Sequence, residues 1–179
     1  MKITIYVMRH GLRDMIYHNN SVELNQRGLE QANNQILNTL LNIQINEVWC
    51  SIYTRAIQTV FPYLKETGKM FNTDDCLHEY IPIILCMFDE YHPANKVLYP
   101  YNLFHNESYL IKGGIIVPEN RDNVRKRVID FVKKHGKRLD NSLIVSHSTV
   151  ICEFLRLATG NECNKGVMMG QVYKLIIEI

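Results

Sequence analysis

"KITIYVMRHGLRD", residues 2–14, is the stretch on which the fold turns. From Ile3 to Met8, β-branched and apolar side chains occupy both parities, as in a strand buried on both faces of a sheet. Such strands belong to parallel sheets covered by helices on each side. The run then ends in Arg9, His10 and Gly11, with Arg13 and Asp14 close behind. A strand that merely surfaces can end in any polar residues. A strand that delivers its last side chains to an anion site ends in arginine and histidine.

The rest of the chain repeats the first half of that pattern. From Asn25, which is placed to cap a helix, Leu29, Ala32, Ile36, Leu37, Leu40 and Leu41 recur at helical spacing. "EVWCS" (47–51) reads as a second short strand. The helix after it carries Ala56, Val60, Tyr63 and Leu64 on one face, and Pro62 is expected to kink or shorten it. A third helix is predicted after Pro118, with Val124, Val128, Phe131 and Val132 inward and Gly136 past its end. "SLIVS" (142–146) reads as a buried strand, and 149–158 as a helix with Val150, Phe154, Leu155 and Ala158 inward and Gly160 as its stop. "VYKLIIEI" closes the chain as a last strand. Residues 81–117, rich in Tyr, Pro and Asn and ending near Gly113-Gly114, read as an insertion of short strands or loops. Strands alternating with helices predict a single domain over 1–179, a three-layer α/β/α sandwich around a mostly parallel central sheet.

Composition narrows the function classes. The chain has 179 residues, 46% of them apolar and 21% charged, with a net charge of +2. That is enough for one buried core, and no long basic run of the sort that binds nucleic acid appears. The one basic run, "RKR" at 125–127, is too short for that role and is expected to be a solvated helix face. No apolar stretch approaches the roughly 20 residues that cross a bilayer. Met1-Lys2 runs straight into the first strand with no cleavage-site pattern, so no secretory leader is expected. The five cysteines (50, 76, 86, 152 and 163) show no C-x-x-C spacing and lie mostly in apolar runs. They are expected to be free, buried and reduced, which implies a cytoplasmic location. The abundance of Asn, Ile, Lys and Tyr fits an AT-rich genome; were that genome viral, the cytoplasm would be the host's.

Three of the strands end alike. The first is followed by Arg9, His10 and Gly11, the second by Ser51 and Arg55, and "SLIVS" by His147 and Ser148. Ligands of open α/β sheets bind outside the carboxyl ends of the strands. Two arginines and two histidines would therefore meet in one crevice, beside helix N-termini whose amides favour phosphate.

At this point the chain resembles a family. "RHG" (9–11), "LNQRGLEQA" (24–32), "SIYTRAIQT" (51–59), "LHE" (77–79) and "VSHS" (145–148) match, in order, the motifs of the histidine phosphatase superfamily, with its phosphoglycerate-mutase-like fold. Arg13 and "LHEY" look nearest to the R-H-G-x-R branch, such as the phosphatase module of the suppressor-of-T-cell-receptor-signalling proteins. The resemblance implies a phosphomonoesterase in which His10 is the nucleophile and forms a phosphohistidine. Neighbouring Arg9 and Arg55 would keep its ring neutral. Gly11 would leave room beside the ring. Arg9, Arg13 and Arg55 would clamp the phosphate oxygens with forked donors. His147, protonated in the complex, would stabilise charge on the transferring group, and Glu79 would protonate the leaving oxygen and then activate water. Ser148, where the family often has Gly, would lie beside the substrate. The implied cofactors and metals are none, because the guanidinium groups supply the positive charge. The implied partner is a small phosphorylated substrate or a phosphoprotein, with no nucleic acid and no membrane; a homodimer is allowed.

Rival readings remain. One is a catalytically silent domain that binds a phosphorylated ligand in the same pocket; another is a phosphoglycerate-type mutase. The mutase reading lacks the further basic residues needed for a doubly charged sugar acid, with only Lys96 and Lys112 scattered in the insertion. A metal site of His10, His147 and Glu79 would face repulsion from three arginines. Ser51 reads as a turn residue, and His18, His78, His92, His105 and His135 as incidental, although His92 or His105 could reach substrate.

Overall fold

The computed structural model describes residues 1–14, 22–80, 100–109, 119–163 and 166–179. Its strands are β1 (Lys2–Arg9), β2 (Val48–Cys50), β3 (Phe71–Asp74), β4 (His105–Tyr109), β5 (Ser142–Ser146) and β6 (Val172–Glu178). They form one six-stranded sheet in the order β4-β3-β2-β5-β1-β6. β6 runs antiparallel to β1, and the other pairs are parallel. This is the mostly parallel sheet expected from the both-faced apolar runs.

Side chains of alternate parity feed two cores, one on each face. Ile3, Ile5, Val7, Trp49 and Ile144 pack against α4 (Arg121–His135) and α5 (Ser148–Thr159). Met8, Val48, Cys50, Leu143 and Val145 pack against the opposite layer. That layer comprises α1 (Gln26–Gln31), a π turn (Ala32–Ile36), α2 (Leu37–Leu41) and α3 (Thr54–Thr67). The result is a three-layer sandwich.

Local signals place most element ends. The Asn25 side chain accepts the Gly28 N–H at 2.9 Å and caps α1. Gly68 ends α3 at φ 67, and Gly160 ends α5 at φ 74, both in the left-handed region that glycine enters without strain.

Several expectations need correction. The π turn keeps Ala32, Ile36 and Leu40 on the inner face at a spacing of four, so Leu41 points to solvent. Pro62 lies inside α3 without ending it. "RKR" is not a solvated face. Lys126 is exposed, but Arg125 pairs with Glu153 and Glu162, and Arg127 forks onto Glu119. Of residues 81–117, only 100–109 are described; a 3-10 turn (Tyr101–Phe104) leads there into β4 at the sheet edge. His18, His92, Lys96, Lys112 and Cys86 lie outside the described residues. Cys50, Cys76, Cys152 and Cys163 are free thiols, but Cys50 alone of these four is fully buried. Among the described residues, no helix is long and apolar enough to cross a membrane.

Candidate active site

Register explains how the two histidines meet. Val145 of β5 lies opposite both Met8 of β1 and Cys50 of β2. β2 ends at that level, and β1 and β5 end one residue later with Arg9 opposite Ser146. The His10 N–H donates to Ser146 O at 3.0 Å, and the Ser51 N–H to Val145 O at 2.9 Å. The His10 and His147 rings are consequently neighbours, with centroids 5.3 Å apart.

His10 is 1% exposed. Its Nδ1 lies 2.8 Å from Gly11 O, an acceptor only, so Nδ1 carries the proton and the lone pair sits on Nε2. Burial above all, then Arg55, with smaller contributions from Arg9 and Arg13, holds its pKa down at about 3. The sequence reading credited the arginines first; desolvation is the larger cause. His10 is thus a neutral imidazole of fixed tautomer at neutral pH.

His147 is fully buried. Its Nε2 is 2.8 Å from Ser51 Oγ, and its Nδ1 is 3.6 Å from Glu79 Oε2. Burial and then Arg55 push its pKa well below the ordinary value. In the resting protein it is therefore neutral, unlike the protonated form expected for a complex. A bound dianion would supply the missing counter-charge.

The arginines converge on the same place. Arg55 is 0% exposed and pairs through Nη2 with Glu79 Oε2. Its guanidinium also lies 4.7 Å from the centre of the Tyr53 ring, which meets the His147 ring edge-on at 4.8 Å. Burial lowers the Arg55 pKa to about 10, still leaving it charged. Arg9 donates through Nη1 to Val167 O at 3.0 Å, and burial, followed by the opposing pull of Glu79, leaves its pKa lowered. Arg13 is 7% exposed rather than free in a surface loop, and its charge bears on His10, Arg9 and Arg55. Arg9 Nε and His147 Nδ1 are buried donors or acceptors with no hydrogen-bond partner among the described residues.

Ser148, the residue after His147, opens α5 and lines a small pocket with Arg121, Thr149 and Cys152. His105 sits 3.0 Å from Thr73 Oγ1 and pairs in register with Phe71, at the start of β3 and away from the carboxyl ends. Asp74 is engaged by Lys134 and His135, both at 2.9 Å. Among the described residues, no group of three or more His, Cys, Asp or Glu side chains converges as metal ligands.

Positioning residues complete the site. Gly11 N–H donates to Thr59 Oγ1 at 2.8 Å, and Gln58 Oε1 accepts the Leu24 N–H at 2.8 Å. Gln31 bridges two loops, accepting from Leu12 N at 3.2 Å and donating to Met169 O at 3.0 Å. Gly28 is the glycine with no room to spare: a Cβ there would lie 2.0 Å from Leu12 O. Gly11 is less confined, and its nearest neighbour is Gln31 Oε1 at 3.3 Å rather than the His10 ring. Ser51, Gln31, Gln58, Thr59 and Gly28 all stood inside the quoted motifs, which was the available signal for them.

A mostly parallel sheet gathers histidine and arginine at its carboxyl ends, the place where open α/β proteins bind their ligands. The model of the histidine phosphatase superfamily (branch 1) matches residues 5–174, and the chain belongs to that superfamily. No curated protein sequence matches it significantly. Solved structures share the fold. The mycobacterial glucosyl-3-phosphoglycerate phosphatase aligns with a TM-score of 0.64 at 16% identity, covering 98% of this chain and 91% of that one. The α-ribazole phosphatase of Shigella flexneri gives 0.66 at 22%, covering 96% and 89%. The Bombyx mori ecdysone phosphate phosphatase, solved with tungstate, gives 0.63 at 15%, covering 96% and 88%.

Proposed function

We propose that this chain is a metal-independent phosphomonoesterase that works through a phosphohistidine on His10. The observation that carries the reading is the state of His10: neutral, tied through Nδ1 to Gly11 O, and flanked by guanidinium groups. Its Nε2 lone pair is a nucleophile that needs no base to free it.

In the first half-reaction Arg9, Arg13 and Arg55 hold the non-bridging oxygens. Nε2 of His10 attacks phosphorus as the ester P–O bond breaks. A protonated Glu79 gives its proton to the departing oxygen. His147 stabilises the charge on the transferring group. In the second half-reaction, the Glu79 carboxylate takes a proton from water, and that oxygen attacks phosphorus, breaking the N–P bond. Inorganic phosphate leaves and His10 is restored.

The structural neighbours are named for three different esters, of glucosylglycerate, α-ribazole and ecdysone, so the likeness supports only the phosphate end of the substrate. The resemblance to the R-H-G-x-R branch allows an aryl phosphate or phosphotyrosine-type group on the other end. Four free thiols suit a reducing cytoplasm. The test is hydrolysis of p-nitrophenyl phosphate in excess EDTA from about pH 5 to 8, for native protein and His10→Ala. Turnover that survives EDTA and vanishes in the variant supports the proposal. Vanadate binding without turnover by native protein supports the silent phospho-ligand-binding domain instead.

A further inference from the structure

Glu79 reaches the site on a short turn, and that turn is held from outside the catalytic cluster. A 3-10 turn (Asp75–Leu77) carries the chain from β3 towards Glu79. Asp74 Oδ1 accepts the Cys76 N–H at 2.8 Å, and Ser146 Oγ donates to Leu77 O at 2.7 Å. A further fastening comes from α4, where Arg127 Nη1 donates to Cys76 O. Arg127 is itself locked by Glu119, with Nε to Oε2 at 3.0 Å and Nη2 to Oε1 at 2.7 Å. The two side chains are 12% and 9% exposed.

His78 closes the cluster. Its Nδ1 donates to Glu79 O at 2.7 Å and lies 3.9 Å from Glu119 Oε1. Burial, then Arg127, lowers its pKa to about 3, so it is neutral and its donor stays committed to the Glu79 backbone.

A buried ion pair is a poor device for stability, because apolar residues of the same volume often serve as well. A forked guanidinium is a good device for fixing a carbonyl, since two of its donors define the direction of the third. We propose that Arg127, held by Glu119, is a positioning residue for the general acid. By pinning the Cys76 carbonyl three residues upstream, it sets where the Glu79 carboxyl meets the leaving oxygen. The inference rests on the reading that Glu79 protonates that oxygen.

Leaving groups separate this role from a structural one. A p-nitrophenolate departs without a proton, whereas phenolate needs help and an alkoxide needs it most. The assay is kcat/KM, which reports the phosphorylation step, for p-nitrophenyl phosphate, phenyl phosphate and glycerol 2-phosphate. Glu79→Gln is expected to lose about 10²-fold or more on the last two and little on the first. Arg127→Met is expected to show the same selectivity, with about tenfold loss on glycerol 2-phosphate, because the acid is displaced rather than removed. Arg127→Lys keeps the charge but not the fork; it should fall between native and Met, and it carries the test if the Met variant does not fold. Equal loss across the series, or none, in the Arg127 variants while Glu79→Gln is selective overturns the positioning role alone. A flat response of Glu79→Gln overturns the acid assignment and this inference with it.

Discussion

Gly28→Ala should damage this protein more than Gly11→Ala, although Gly11 is the residue beside the nucleophile. A Cβ at position 28 would stand 2.0 Å from Leu12 O and 2.9 Å from its carbonyl carbon. Ordinary contacts begin near about 3.5 Å, and both partners are backbone, so α1 or the 11–13 loop must shift. Overpacking of this kind costs about 1–3 kcal/mol, against about 1 kcal/mol gained from replacing glycine in a helix. The net is a loss of up to about 2 kcal/mol, or a Tm lower by up to about 8 °C for a chain of this size. The displaced segment includes Gly11 O, which fixes the His10 tautomer, and Arg13. A shift of about 1 Å there is expected to cost about 10²-fold in kcat/KM. At Gly11 the nearest atom is the end of a flexible glutamine at 3.3 Å, and no positive φ is needed. Gly11→Ala should change stability by under about 1 kcal/mol. Thermal unfolding by circular dichroism and p-nitrophenyl phosphate turnover read both variants. The reasoning fails if Gly11→Ala is the worse of the two, or if Gly28→Ala matches native protein in both assays.

Three further expectations follow from the site. Ser51→Ala removes the partner of buried His147 Nε2 and should weaken vanadate binding by about tenfold, about 1–2 kcal/mol, as measured by titration; unchanged affinity would dismiss the contact. Arg55→Lys keeps the charge and loses the fork, and should weaken phosphate binding by about 10–100-fold in calorimetry, with full affinity as the contrary result. His10 and His78 are held at about 3 and His147 well below its ordinary value, whereas the unfolded chain protonates them near about 6.5. The unfolded state therefore binds more protons in that window, and stability should fall as pH drops below about 6.5. The urea midpoint at pH 7.5 and at pH 5, above the carboxylate range, tests this; equal midpoints would contradict it.

The sequence was most informative where periodicity and strand ends coincide. Ile3 to Met8, "EVWCS" and "SLIVS" announced a parallel sheet because both parities were apolar, and their ends announced His10, Arg55 and His147. The structure brings those residues and Glu79 together, with Arg13 buried beside them. What the sequence concealed depended on packing between distant segments. The π turn that exposes Leu41 leaves no mark in the apolar spacing. "RKR" looked solvated because the partner of Arg127, Glu119, precedes the helix and the carbonyl it holds belongs to another layer. The constraint on Gly28 is the Leu12 backbone sixteen residues earlier, which the motif itself does not show. His105, named as able to reach substrate, sits instead at the start of β4 opposite Phe71, a placement that only the strand register reveals.

The central claim is that His10 carries the phosphoryl group, and one measurement addresses it directly. Native protein mixed with p-nitrophenyl phosphate in EDTA is quenched within the first turnover under alkaline conditions, digested, and mapped by mass spectrometry, with Glu79→Gln used to slow hydrolysis of the intermediate. The account requires one added phosphoryl group, stable to alkali and labile to acid, on the peptide containing His10, and none in His10→Ala. Turnover with no phosphorylated peptide, or with the group on another residue, would contradict it.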